Sequence, residues 1–305
     1  MNGQGKVEGA PSSWNLLRWL HRRAPWTVGL TGKGGPPVLA SLMCAILVVA
    51  AIFGTSITPY SETTIDFESV MMPPVWQDEG SIRHPFGTDQ LGRDILSRLV
   101  AGAQVSMMVA VAAVVVGGIL GTFIGLIAGY FGGVIGSILS RITEAFLALP
   151  FILMALALVA ALGPGLSNII IVMILTNWAR YARLVRSEVL GIKERDFVLL
   201  ARIAGVSRFR IALRHVLPNA VNSVAILAIL DVGRAMILES ALSFLGLGVQ
   251  PPSVSWGVML ADAKSFMGFA WWLALFPGVA IFLSVLSFSA LGDWLHTKFD
   301  PRTGL

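Results

Sequence analysis

No Asp, Glu, Lys or Arg occurs between Leu99 and Ser140, and none occurs between Ala145 and Ala179. A helix or strand in water needs a polar face, and runs of this length leave none. Both segments therefore belong in lipid, or inside a helix bundle that lies in lipid. Charged residues make up 13% of the chain, against about 25% in soluble domains. The net charge of +5 raises the possibility of nucleic-acid binding, but the Lys and Arg residues flank apolar runs instead of forming one basic domain, which argues against it. Cys44 is the only cysteine and lies within an apolar run, so no intrachain disulfide exists and a packed thiol is expected.

A membrane-crossing helix takes about 20 mainly apolar residues. The chain offers six such stretches, near 37–57, 101–129, 137–162, 165–184, 219–247 and 269–292. The first follows about 36 polar or mixed residues, too many for the basic leader of a cleaved signal peptide, and reads as a retained span. The expected fold is an all-α integral membrane bundle of six transmembrane helices. A membrane domain over 37–292 is flanked by an N-terminal arm, 1–36, and a tail, 293–305. Two connections are large, an outer loop over 58–98 and an inner loop over 185–218. Sixteen Lys and Arg residues fall in the arm, in the stretch from Arg180 through the inner loop, and in the tail, against Arg83, Arg93, Arg98 and Lys264 on the other side. By the positive-inside rule both termini are cytoplasmic.

Several residues stand out as candidates. Gly117, Gly121, Gly125, Gly129 and Gly133 recur every four residues, a spacing that lines one helix stripe and lets a second helix approach closely. Asp231, Arg234 and Glu239 lie inside the fifth span. Ionisable groups there are costly, so they line a polar path or pair structurally. The three-residue spacing of Asp231 and Arg234 predicts a pair on one face, and Glu239 stands nearer the outer side, where it could meet a second subunit. Arg141 and Glu144 predict a similar local pair. Trp256, Trp271 and Trp272 fit an outer aromatic belt. His84 has Asp89 and Asp94 nearby, but the segment reads as a turn followed by a capped helix, with no metal site expected.

The inner loop carries the most specific signal. Residues 196–204 suit a short amphipathic helix beginning at Asp196, with Phe197, Leu200, Ala201 and Ala204 on one face. Gly205 sits where a C′ glycine ends a helix. Ser207 can cap a second short helix, and Pro218 suits a bend or first turn entering the fifth span. Leu199-Leu200-Ala201, then Gly205, then Leu217-Pro218 resembles the EAA motif of binding-protein-dependent transport permeases, with Leu199 and Leu200 in place of the usual Glu and Ala. The segment from His84 to Asp94 resembles the signature preceding the second span in dipeptide and oligopeptide permeases. So do Glu239 to Gly248, Gln250-Pro251-Pro252 and Ser255-Trp256-Gly257, and the end of the chain from Phe276-Pro277-Gly278 to Asp300-Pro301-Arg302. Over residues 37–302 the chain is similar to the C-type permease subunit of the dipeptide, oligopeptide and nickel class.

That resemblance implies the type I importer permease fold. It also implies a second homologous permease, two ATPase subunits that carry the ATP and Mg²⁺, and a periplasmic or lipoprotein substrate-binding protein. The loop helix would dock on an ATPase subunit, and the spans would alternate between outward- and inward-facing states. Peptides are the leading cargo it implies, with nickel chelates, glutathione and opine-like solutes as alternatives. This chain supplies no cofactor site. Gly32-Lys33-Gly34 fails the phosphate-loop pattern, because the Lys is not followed by Ser or Thr and no Gly lies five residues before Gly32. An intramembrane protease would need a paired His or Asp motif that is absent, and a secondary transporter would commonly show an internal repeat.

Overall fold

The computed structural model describes residues 35–299, so most of the N-terminal arm and the end of the tail, including Arg302, lie outside the described residues. Within that range the chain is built of helices. Helix α1 covers Val38–Ile57. After a folded loop come α2, Ile95–Tyr130, α3, Gly133–Ala148, α4, Phe151–Leu162, and α5, Leu166–Ile192. Then follow α6, Asp196–Ile203, α7, Arg208–Ile211, α8, Leu217–Phe244, α9, Trp256–Ala263, and α10, Trp272–Phe299.

Among the described residues three helices are long and apolar enough to cross a membrane, Ile95–Tyr130, Arg208–Phe244 and Trp272–Lys298. A fourth candidate is α3 and α4 taken together, which cover the span expected near 137–162 as a bent pair. The two helices meet at 95° across Leu149-Pro150. Pro150 has no N–H to donate and its ring excludes the α conformation at Leu149, which is extended. Helix α1 is apolar but short, and α5 carries Arg180, Arg183, Arg186 and Glu188 in its second half. The second span begins six residues earlier than expected, at Ile95. Asp94 caps it by accepting the Ser97 N–H at 2.7 Å.

Helix α2 is the axis of the bundle and packs on α5 along its length, as well as on α8 and α1. The contact with α5 is close because of glycine. A Cβ at Gly121 would run into the Trp178 carbonyl and lie 2.6 Å from Tyr181 Cβ. One at Gly125 would lie 2.5 Å from the Ala182 carbonyl oxygen, and one at Gly129 3.0 Å from Val189 Cβ. Gly117 continues the row with ordinary clearance, 3.5 Å from the Ile174 carbonyl oxygen. Gly133 does not belong to it. It opens α3 with φ +59 and has nothing within 4 Å, so the helix has already turned away after Gly132.

The bundle has two ends. Residues 58–94 and 245–271 lie at one, called here the loop end. Residues 131–132 and 193–207 lie at the other, the basic end, where Lys193, Arg195, Arg202, Arg208 and Arg210 gather. The loop end is a packed structure. Asp89 accepts from Leu91 and Arg93 N–H groups at 2.9 and 3.0 Å and from Arg93 Nε at 2.7 Å. It also pairs with Arg98 of α2, which reaches Asp262 of α9 at 3.0 Å. His84 Nδ1 lies 3.1 Å from Asp94 Oδ1. Trp256 is buried, packs on Gly102 and donates to the Leu99 carbonyl at 2.8 Å. Trp272 is likewise buried and donates to the Thr88 carbonyl at 3.1 Å. These two indoles are internal anchors, which corrects their expected place in an aromatic belt. Each found a carbonyl partner inside the fold, the usual requirement for burying an indole N–H. Trp271 alone of the three is substantially exposed.

Candidate functional site: the coupling segment and the buried charges

The segment at the basic end begins with α6. Its Val198 is buried against Val185, Val189, Ile192 and Ile211, and Ala201 packs beside it. Phe197, Leu200 and Ile203 point outward, with Ile203 83% exposed. The expected apolar face is thus divided. Ala201 belongs to the inner side, where its small side chain lets α6 lie close to its own bundle, while Phe197, Leu200 and Ala204 are exposed.

Helix α6 ends in a Schellman motif. The Gly205 N–H bonds the Arg202 carbonyl at 3.0 Å and the Val206 N–H bonds the Ala201 carbonyl at 3.1 Å. Gly205 has φ +76, a conformation that glycine adopts without strain. Ser207 stands at the next helix start, but its hydroxyl makes no capping bond. The second element is not a separate short helix, as expected, but the start of the fifth span. Helix α7 runs through a π turn, Ala212–Val216, directly into α8. The Leu217 N–H reaches the Ala212 carbonyl, five residues back. Pro218 explains the wide turn, since it has no N–H and a normal turn would press its ring on the carbonyl four residues earlier. Leu217 packs against the cluster around Val198. Lys193 Nζ donates to the Gly129 carbonyl at 3.4 Å, and the Arg202 guanidinium lies 5.8 Å from the Tyr130 ring centre. Through these contacts α6 is tied to the ends of α2, α5 and α8.

The charges of the fifth span form two sites. Asp231 is buried, and its closest partner is Arg180 of α5, with Nη1 2.5 Å from Oδ1. Arg234 is 3.8 Å from the same oxygen, beyond hydrogen-bond length. The expected Asp231–Arg234 pair is therefore secondary. Arg180, counted in the sequence among the basic loop charges, is the residue that was missed. Its signal was an arginine within the helical length of the fourth span and a carboxylate in the fifth. Asp231, Arg234, Asn177, Met173 and Phe151 line a small recess beside the α3–α4 bend. Glu239 lies about two helix turns away and is fully buried. Ser243 and Ser106 donate to it at 2.7 and 3.1 Å. It therefore joins α8 to α2 inside this chain, and the expectation that it faces a second subunit is corrected. Arg141 and Glu144 are both exposed on α3 and form no ion pair among the described residues, which corrects the expected local pair.

Residues 121–305 match the model of the family described as binding-protein-dependent transport system inner membrane component. The chain belongs to this family. The permease is 39% identical over 261 residues to the di/tripeptide transport system permease protein DppC of Pseudomonas aeruginosa (strain UCBPP-PA14), covering 86% of each chain. It is 42% identical over 264 residues to the glutathione transport system permease protein GsiD of Escherichia coli O1:K1 / APEC, covering 86% of this chain and 85% of that one. To the protein of that name from Shigella flexneri serotype 5b (strain 8401) it is 44% identical over the same length. As a member of an inner-membrane transport family whose relatives are permease subunits, the chain is a transport component and not an enzyme.

Proposed function

We propose that this chain is one permease subunit of an ATP-driven importer that takes a small peptide or a peptide-like solute, glutathione included, from a binding protein and carries it inward. The six crossings are α1, α2, the bent α3–α4 pair, α5, α7–α8 and α10, with the basic end in the cytoplasm. A second permease of the same family completes the path. ATP and Mg²⁺ act on two partner ATPase subunits. Nickel chelates and opine-like solutes remain alternatives, with less support because the relatives reported above are named for di/tripeptides and glutathione.

The observation that carries the proposal is the build of α6. It presents Phe197, Leu200 and Ile203 to the outside at the basic end, a surface that fits a groove on a partner. Its inner side is locked to the helices that must move. A push on α6 passes through Val198 and Ala201 to α5 and through the π turn to α8. Two discrete arrangements of these packed helices would open the path alternately to each side. Asp231 and Arg234 line that path, while Glu239 holds its walls together.

The direct test replaces the hinge. Gly205→Asp forces an ill-suited side chain into the left-handed region and puts a charge beside the docking face. The variant is expected to reach the membrane at normal levels and to lose uptake at least tenfold. Uptake at the unmodified rate would remove α6 as the coupling element.

A further inference from the structure

Arg180 and Arg234 share a single carboxylate. Arg180 takes it, at 2.5 Å from Asp231 Oδ1. Arg234 stays at 3.8 Å with its side chain 43% exposed, and its N–H groups have no hydrogen-bond acceptor among the described residues. The cluster therefore holds one surplus positive charge, on Arg234, about 15 Å along α8 from its loop end. A guanidinium left there without an anion or water is strongly unfavourable.

The recess beside Arg234 supplies further donors. Asn177 lines it, and its buried amide makes no hydrogen bond among the described residues. Phe151 lines it too and opens α4, whose first turn has no side-chain cap. Uncapped N–H groups and the positive end of a helix favour a negative group. A planar guanidinium and an amide beside such an end suit a carboxylate, which accepts two parallel N–H bonds. Asp231 does not serve as that acceptor in this structure: Arg180 holds Oδ1, and the buried Oδ2 makes no bond to Arg234.

Building on the assignment of Asp231 and Arg234 to the translocation path, we propose that Arg234, with Asn177, binds a free carboxylate group of the transported solute during its passage. Arg180 acts as a positioning residue. It neutralises Asp231 and so leaves the charge of Arg234 available.

The test uses the complete transporter in proteoliposomes, with Cys44→Ser as the background and Arg234→Cys introduced. The probe is labelled alanyl-alanine, or glutathione if the dipeptide is not accumulated. Uptake should fall at least tenfold. Treatment with a cationic aminoethyl thiosulfonate should restore it to within threefold of the background, whereas a neutral or anionic reagent should not. Saturating solute should slow the modification at least fivefold. Arg234→Lys should keep uptake within threefold, and Arg234→Gln should lose it with the complex assembled normally, which covers the case in which the cysteine variant fails to insert. If solute protects but neutral and cationic reagents restore uptake equally, the path assignment stands and the carboxylate contact is overturned. If the thiol reacts in the isolated subunit but not in the assembled transporter, Arg234 is a subunit contact and both fail. Full uptake by Arg234→Gln would overturn the proposal outright.

Discussion

At the scale of single residues, the buried charges show how partners far apart in sequence decide a side chain's role. Asp231 is almost wholly buried, whereas Arg180 is 31% exposed. The two halves of the pair should then respond unequally. Arg180→Gln leaves a buried carboxylate with the distant Arg234 and the neighbouring Tyr181, at a cost of about 3 kcal/mol. Asp231→Asn leaves a guanidinium that water can still reach and should cost less than half of that. The double variant should recover part of the loss. Thermal unfolding of the solubilised protein would check this order, and equal losses for the two single variants would contradict it. The sequence revealed that Asp231 and Arg234 needed an explanation, because charges inside an apolar run always do. It could not reveal Arg180 as the main partner, since helical spacing reports only neighbours on the same helix. Trp256 and Trp272 were misplaced for the same reason. An indole suits a membrane boundary or a buried carbonyl equally well, and the carbonyls of Leu99 and Thr88 come from other elements.

At the scale of elements, α2 and α5 behave as one unit built on four glycines. Gly121→Ala places a methyl group against the Trp178 backbone, which cannot yield without separating the helices. Overpacking of this kind costs about 1–3 kcal/mol. Gly191 on α5 is the control, because it has nothing within 4 Å of a Cβ. There Ala should be neutral or slightly stabilising through helix propensity. Comparing the melting temperatures of the two variants separates close approach from composition. The spacing of four made this stripe legible through Gly129, but periodicity alone could not show that the helix ends before Gly133. The same limit applies to α3 and α4. Their apolar residues continue across Pro150, so hydropathy reads one span where the backbone makes a 95° turn. Pro218 stands in the first turn of α8, as its position suggested, but nothing in the spacing showed that a π turn joins α7 to that helix.

At the scale of the whole molecule, the long uncharged runs established a helical membrane bundle, and the segments around His84, Gly205 and Glu239 pointed to its family. The structure adds the packing that the proposed coupling requires. The loop end is fixed by the Asp89–Arg98–Asp262 network and by two buried indoles. The basic end presents one short helix whose outer face is apolar and whose inner face is locked to α5 and α8. Such a chain has a rigid roof, a bent span beside a charged recess, and a handle at the opposite end. In the function proposed above, the force on that handle comes from a partner ATPase.

The most direct measurement is affinity purification of the tagged chain from gently solubilised membranes, followed by mass spectrometry and an ATP-dependence assay on the recovered material in vesicles. The account predicts recovery of a second permease and P-loop ATPase subunits, with uptake that requires ATP and is lost together with those ATPases when α6 carries Gly205→Asp. Recovery of this chain alone, transporting solute without ATP, would contradict it.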